Sequence, residues 1–270
     1  MSDLTNIVLF LSSLLGYISA ERPTLNKILF NGNYEFIDLS YSFNEATMYW
    51  LNTRKFEFTK KIQNYQEDGS WYASNDFAAG EHGGTHIDAP QHFKRLGKYV
   101  GDIELEKLIV PLIIVDMSSK VNGDPNFVLY KHHMDYILNN NNGEPCLIIF
   151  KFGWSQFAGD NNKYLGVNKN GTLNFPGLSK EVAEWITTTY KNVVGIGVDV
   201  ASVDPGSSTD FPVHKISAEA GLYNIENVKL DRPLPEWGCT AFALPMKIAL
   251  GTGAPLRLVA VCPKMEVTHF

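Results

Sequence analysis

Residues Glu81 to Phe93 read Glu-His-Gly-Gly-Thr-His-Ile-Asp-Ala-Pro-Gln-His-Phe, and no other stretch constrains the fold as tightly. Three of the chain's seven histidines, His82, His86 and His92, fall in this run with Asp88 among them. Neutral imidazole and carboxylate are the usual ligands of zinc, manganese and similar divalent ions. The spacing of His82 and His86 would suit one face of a helix, but Gly83, Gly84 and Pro90 oppose one. A turn running into a short strand is expected instead, with His86 and Asp88 on one face and Ile87 on the other. The glycines let the backbone bring His82 round to the same point. An isolated histidine is usually a surface or hydrogen-bonded core residue; three with an aspartate in a glycine turn read as a metal cup.

The 270 residues carry 44% hydrophobic and 19% charged side chains, enough for a sizeable core in one domain. A formal charge of −6 gives no electrostatic reason to expect nucleic acid or an anionic membrane surface as a partner. Residues Ile7 to Ala20 form an apolar run that is short for a membrane span of about 20 residues. With small residues at Ile18-Ser-Ala20 and polar Glu21 next, residues 1–20 read as a cleavable signal peptide, although Asp3 and no Lys or Arg precede the run. Secretion is the expected localisation, the mature domain spans 21–270, and Asn170-Gly-Thr172 is then a glycosylation sequon. Cys146, Cys239 and Cys262 are odd in number and show no disulfide framework; Cys146 and Cys262 read as buried, inert thiols.

Along the chain, strands are expected at Glu35–Ser40, Leu108–Met117, Cys146–Phe152, Lys191–Val200, Phe242–Ile248 and Leu256–Val261. Pro111 suggests a bulge or an edge in the second of these. Tyr41 to Asp76 reads as long loops or a hairpin near the site. A helix is expected over Leu129–Leu138, with His132 and His133 on its surface. A second follows Ser179, its apolar stripe formed by Val182, Trp185, Ile186 and Tyr190. Strands interleaved with few helices predict a single α/β or α+β domain. Gly195-x-Gly197 lacks the third glycine and following helix of a dinucleotide site, and Gly251-Thr-Gly253 lacks the P-loop lysine. No Gly-x-Ser-x-Gly nucleophile elbow is present.

The run His82-Gly-Gly-Thr-His86-Ile-Asp88-Ala-Pro-x-His92-Phe resembles the signature of the metal-dependent cyclase family, which includes bacterial kynurenine formamidases and isatin hydrolases. The similarity extends from about Phe36 to Val261. It implies a swivelling β/β/α domain and a second metal pair, His214 and Glu226, which stand twelve residues apart. Asp88 would then bridge two divalent ions, zinc or manganese. Asp199 and Asp204 are expected to hold the loop through backbone hydrogen bonds rather than to bind metal. The resemblance makes His92 the general acid/base, and a positioned histidine adds roughly 10²–10⁴-fold by proton transfer. It also places an aromatic at Trp50 in the substrate pocket, although the family's flanking Pro and Gly are missing from Met48-Tyr-Trp-Leu51-Asn. Phe152 and Trp154 are further candidates for that lining, and homo-oligomers are the family's habit.

A secreted, metal-dependent hydrolase acting on an amide C–N bond of a small aromatic molecule is therefore expected. The arylformamidase reaction, N-formylkynurenine to kynurenine and formate, leads because the His214/Glu226 pair is retained. Ring opening of isatin or another cyclic amide is the alternative within enzymes. A catalytically silent metal- or ligand-binding member of the fold is the alternative outside them.

Overall fold

The computed structural model describes residues 24–134 and 143–264; the expected leader and the end of the helix expected over Leu129–Leu138 lie outside them. Twelve strands are present among the described residues. They are β1 (Tyr34–Asp38), β2 (Glu57–Tyr65), β3 (Trp71–Ala78), β4 (His86–Asp88), β5 (Ile109–Asp116) and β6 (Val128–Leu129), followed by β7 (Cys146–Lys151), β8 (Gly177–Leu178), β9 (Val193–Val198), β10 (Tyr223–Glu226), β11 (Cys239–Pro245) and β12 (Gly253–Pro263). The main sheet runs β1-β12-β11-β5-β7-β9-β10-β4, and β4 pairs again with β12. That last pairing closes the sheet into a barrel, with β1 laid on the far end of the long strand β12.

Strands β5 and β7 are apolar at nearly every position because both their faces are covered. Leu112, Ile114, Leu147 and Ile149 join Ile87, Ile225, Ala241 and Leu258 inside the barrel. Ile113, Val115, Ile148 and Phe150 point the other way, into a layer shared with Val182, Ala183 and Ile186 of the helix Lys180–Thr189. Ser179 caps that helix through its hydroxyl, which accepts from the Val182 N–H at 3.2 Å. In β9, a side chain at Gly195 would run into the Tyr223 ring on the neighbouring strand, so the glycine serves close packing.

Three local expectations are corrected. Strand β5 is interior, flanked by β11 and β7, rather than an edge. Its Pro111 is tolerated because the Ile114 N–H points towards the β11 side, to Glu236 O; alternation aims the Pro111 nitrogen the other way, where pairing with β7 starts only at Leu112. Over Leu129–Met134 the chain forms the end of β6 and one 3₁₀ turn, Lys131–His133, rather than a helix. Leu129 pairs with Leu178, and that ladder takes backbone groups that a helix would need. Cys239 and Cys262 face each other across β11 and β12 and form a disulfide, so Cys262 is no inert thiol and Cys146 is the cysteine outside the bridge. The segment after β1 is loop to Phe56, and β2 and β3 then form a hairpin that leaves Tyr65, Trp71 and Tyr72 exposed.

Candidate metal centre and active site

Strand alternation builds the site. Ile87 and Ile225 face the barrel interior, so His86 and Asp88 of β4 and Glu226 of β10 emerge on its outer wall. The antiparallel register sets Glu226 opposite His86 and Asn224 opposite Asp88. Just before β4, Gly84 takes the left-handed φ of +55°, which turns the chain so that His82 comes back onto Asp88. The result is a distance of 2.6 Å from His82 Nδ1 to Asp88 Oδ1. His214 arrives from the helix Pro212–Glu219, with Nε2 3.3 Å from Asp88 Oδ2 and 3.0 Å from Glu226 Oε1. His86 Nε2 stands 3.3 Å from Asp88 Oδ1 and 3.5 Å from Glu226 Oε2. All five residues named as ligands from the sequence are thus gathered at one place, with Asp88 central to them.

Each of the two deepest histidines is oriented from behind. His86 Nδ1 lies 3.0 Å from Gly84 O, and a carbonyl only accepts, so Nδ1 carries the proton and Nε2 faces the site with its lone pair. His214 Nδ1 likewise donates to Asp204 Oδ2 at 2.7 Å. Such orienting partners are the usual second layer of a metal site. Asp204 also accepts the N–H groups of Val213 and His214, and Asp199 accepts those of Phe152 and Trp154. Neither aspartate belongs to the groups of donors that lie within ion-holding distance of one another.

The electrostatics fit a cation. Burial works against a charge on Asp88, yet the neighbouring His82, His86 and His214 hold its carboxyl well below the usual range. Burial likewise opposes charging His86, but Asp88 and Glu226 raise it to about 9, and His214 is raised well above the ordinary imidazole value through Asp204, Asp88 and Glu226. The carboxylates therefore call for positive charge at this spot. Asp88 Oδ2, buried, makes no hydrogen bond of good geometry within the chain. Two sets of donors lie within ion-holding distance of one another: His82, Asp88 and His92, and His86, Asp88 and Glu226. Imidazole nitrogen and carboxylate oxygen suit zinc and manganese alike, so these residues fit the metal.

His92 belongs to the 3₁₀ turn Pro90–His92 that follows β4. Its ring stacks on His82 at 4.0 Å and lies 5.9 Å from that of His214, with one edge open to solvent. Burial of the rest pushes its pKa down to about 4; Asp88 pulls upward, and His82, His214 and His86 add to the lowering. A neutral imidazole beside the carboxylates is a proton acceptor at neutral pH.

A cavity of about 310 Å³ opens over this cluster. Its walls include Trp50, Tyr49, Phe93 and Phe211, with Met48 and Leu165. Trp50 packs edge-on against Phe211 and Phe175, with ring centroids 5.9 and 6.2 Å away. The candidates Phe152 and Trp154 are absent from this lining: both are buried in the core, beside Phe127 and Phe157 respectively, and the Trp154 indole N–H donates to Tyr164 O. Phe93 and Phe211 take that place. Their signal was local, since Phe93 follows His92 directly and Phe211 lies three residues before His214.

The outer wall of the barrel thus carries a histidine and carboxylate cluster, fit to hold a divalent ion, under an aromatic cavity. The Cyclase family model matches residues 37–205, and the chain belongs to that family. Among curated relatives, the isatin hydrolase of Roseibium aggregatum is 30% identical over 227 residues, 79% of this chain and 83% of that protein. The kynurenine formamidase of Salinibacter ruber is 29% identical over 223 residues, 83% of this chain and 95% of that protein. Isatin hydrolase A from Ralstonia solanacearum superposes with a TM-score of 0.80 at 27% identity, covering 90% of this chain and 98% of that structure. The mixed α/β architecture is that of this family, and the relatives are hydrolases of amide bonds.

Proposed function

We propose that the protein is a metal-dependent hydrolase of an amide C–N bond in a compact aromatic molecule. The observation that carries this reading is the convergence of His82, His86, Asp88, His214 and Glu226 on the floor of an aromatic-walled cavity, with His92 beside them. His82, His86, Asp88, His214 and Glu226 would hold one or two divalent ions, zinc or manganese. A bound ion supplies a Lewis acid and a hydroxide at neutral pH. The rest is the work of side chains. His92 takes the proton that the attacking water loses and returns it to the departing amide nitrogen as the C–O bond forms and the C–N bond breaks. Trp50, Phe93 and Phe211 orient the aromatic ring and exclude water.

Two substrates compete: N-formylkynurenine, which the sequence favours, and a neutral lactam of the isatin kind. Among the described residues, none that lines the cavity is Lys or Arg. With the metal side of the cavity taken up by the scissile amide, an amino-acid head group would find no cationic side chain for its carboxylate and would face Glu81, which is costly when desolvated. The cavity therefore favours the neutral lactam, and the likeness to two isatin hydrolases supports the same choice. Turnover of isatin, formanilide and N-formylkynurenine by protein loaded with Zn²⁺ or Mn²⁺, with a chelated control, tests both levels. Isatin opening that depends on metal is expected to exceed deformylation. Faster deformylation of N-formylkynurenine reverses the substrate order, and no metal-dependent turnover of any of the three overturns the reading.

A further inference from the structure

His82 differs from the other two imidazoles of the cluster in what stands behind it. Its Nε2 lies 3.0 Å from the Thr252 hydroxyl, and that hydroxyl lies 2.8 Å from Glu81 Oε2. A carboxylate oxygen only accepts, so the single hydroxyl proton of Thr252 goes to Glu81, and its oxygen is left to accept from His82. The chain of donors has one direction: His82 Nε2–H to Thr252, and Thr252 O–H to Glu81. When His82 gives up its second proton, as a metal ligand must, Nδ1 keeps its lone pair towards Asp88, at 2.6 Å from Oδ1. Two lone pairs at that distance repel unless a cation lies between them or shared with them.

The surroundings lock this arrangement. Glu81 Oε2 also accepts the backbone N–H groups of Thr252 and Gly253 at 2.9 and 3.2 Å, and Thr252 O accepts the Ala89 N–H at 2.9 Å. Thr252 is thereby tied to both ends of the metal-binding stretch, at the place where β12 pairs with β4 and closes the barrel. At Gly253, opposite Asp88, any side chain would run into the His82 ring. The start of β12 is shaped around that imidazole.

We propose that Glu81, acting through the Thr252 hydroxyl, is a positioning residue that fixes His82 in the Nε2–H tautomer and presents Nδ1 as its metal-facing nitrogen. His86 and His214 present Nε2 instead, so the centre has two nitrogen types. The inference rests on the metal-dependent reading above, and it gives Glu81 a role although Glu81 lines the cavity and could be mistaken for a substrate-handling acid.

The test uses the full-length protein and two substitutions at Thr252. Thr252→Val keeps the shape and removes the hydroxyl; Thr252→Ser keeps the hydroxyl. Zinc affinity is measured by chelator competition, and imidazole tautomers by ¹⁵N NMR of histidine-labelled protein. Thr252→Val is expected to weaken zinc binding about 10–100-fold, the usual effect of losing an orienting partner, with Thr252→Ser staying near wild type. In wild type, one histidine of the cluster should carry its proton on Nε2 and two on Nδ1, and Thr252→Val should scramble the first. Wild-type affinity in Thr252→Val with the tautomer unchanged overturns the proposal, as does a wild-type spectrum with His82 protonated on Nδ1. Failure of the wild type to take up zinc counts against the metal reading instead, and the His82 tautomer in the wild-type spectrum still decides the positioning role. Should Thr252→Val fail to fold, the wild-type tautomers and Thr252→Ser carry the test.

Discussion

His214 Nδ1 donates to Asp204 Oδ2 at 2.7 Å, and the same carboxylate accepts the N–H groups that open the helix on which His214 rides. The residue at the helix entry, Phe211, has a left-handed φ of +50° and offers no capping side chain. Asp204 thus substitutes for a missing N-cap and sets the tautomer of a candidate ligand at once, so ordering the helix and orienting His214 are one event.

Asp204→Ala separates the two effects by readout. Loss of the cap is expected to lower the unfolding free energy of metal-free protein by about 1 kcal/mol. Loss of the orienting bond is expected to weaken divalent-ion binding about 10–100-fold. Denaturant melts with a chelator present measure the first, and chelator competition the second.

His92→Ala is expected to abolish most turnover while divalent-ion content stays at the wild-type level, whereas His86→Ala should lose both. The expected loss on removing the proton shuttle is roughly 10²–10⁴-fold in kcat. Because His92 also lies within ion-holding distance of His82 and Asp88, elemental analysis of the variant is the deciding measurement. Loss of metal from His92→Ala would make His92 a ligand and send the search for the shuttle elsewhere.

Two equivalents of divalent ion per chain are expected, because Asp88 Oδ1 faces His82 and His86 while its Oδ2 faces His214, which pairs with Glu226. Metal analysis of protein purified without chelators checks this. A firm value of one, unchanged by added metal, would remove the binuclear arrangement and leave a single centre.

The cup was legible in the sequence because its chemistry is local: Gly83, Gly84 and Pro90 exclude a helix, and alternation along a strand then places His86 and Asp88 together. His214 and Glu226 came from resemblance, since nothing within twelve residues of sequence tells a lone histidine after a proline that a barrel wall stands opposite. Phe152 and Trp154 were misplaced for a related reason. They follow the apolar run of β7, and an apolar run looks the same whether it faces a cavity or the core. The closure of β4 onto β12 joins residues more than 160 positions apart, and with it comes the Glu81, Thr252 and His82 chain. The Cys239–Cys262 pair was likewise invisible, because pairing depends on strand register, and an odd count excludes only full pairing without saying which two would join.

Asp199 gives stability a pH signature. Burial raises its pKa to about 6 against the lowering effect of the Phe152 and Trp154 N–H groups. A carboxyl raised above its unfolded value of about 3.9 contributes stability that is fully present below that value and is lost as pH rises through about 6. The fold's stability relative to Asp199→Asn should therefore fall by roughly 2–3 kcal/mol between pH 4 and pH 7, at 1.36 kcal/mol per unit. Denaturant titrations of both proteins with a chelator present measure the difference; a flat difference would show that the carboxylate is as well solvated by its N–H partners in the fold as in water.

The disulfide bears on where the protein matures. Cys239 and Cys262 stand opposite each other in adjacent antiparallel strands, 23 residues apart, and the bond joins β11 to the end of β12 that also pairs with β1. Closing a loop of that length is worth about 3 kcal/mol by the chain-entropy argument. For a chain of this size, reduction or Cys239→Ser is then expected to lower Tm by roughly 6–12 °C. Thiol titration of denatured, unreduced protein should find one thiol, Cys146, and reduction should raise the count to three. Such a bond persists in oxidising compartments and is rare in the cytosol, and we propose export, with mature chains that begin near Glu21. Asn170 lies exposed in the turn between Asn168 and Thr172, open to a sugar if the producing cell glycosylates. Mass spectrometry of protein recovered from culture medium reads the first residue, the sugar and the bridge together. Chains beginning at Met1 with three free thiols would overturn export and disulfide alike, while the metal cluster, built from β4, β10 and the helix Pro212–Glu219 and containing no cysteine, would stand unchanged.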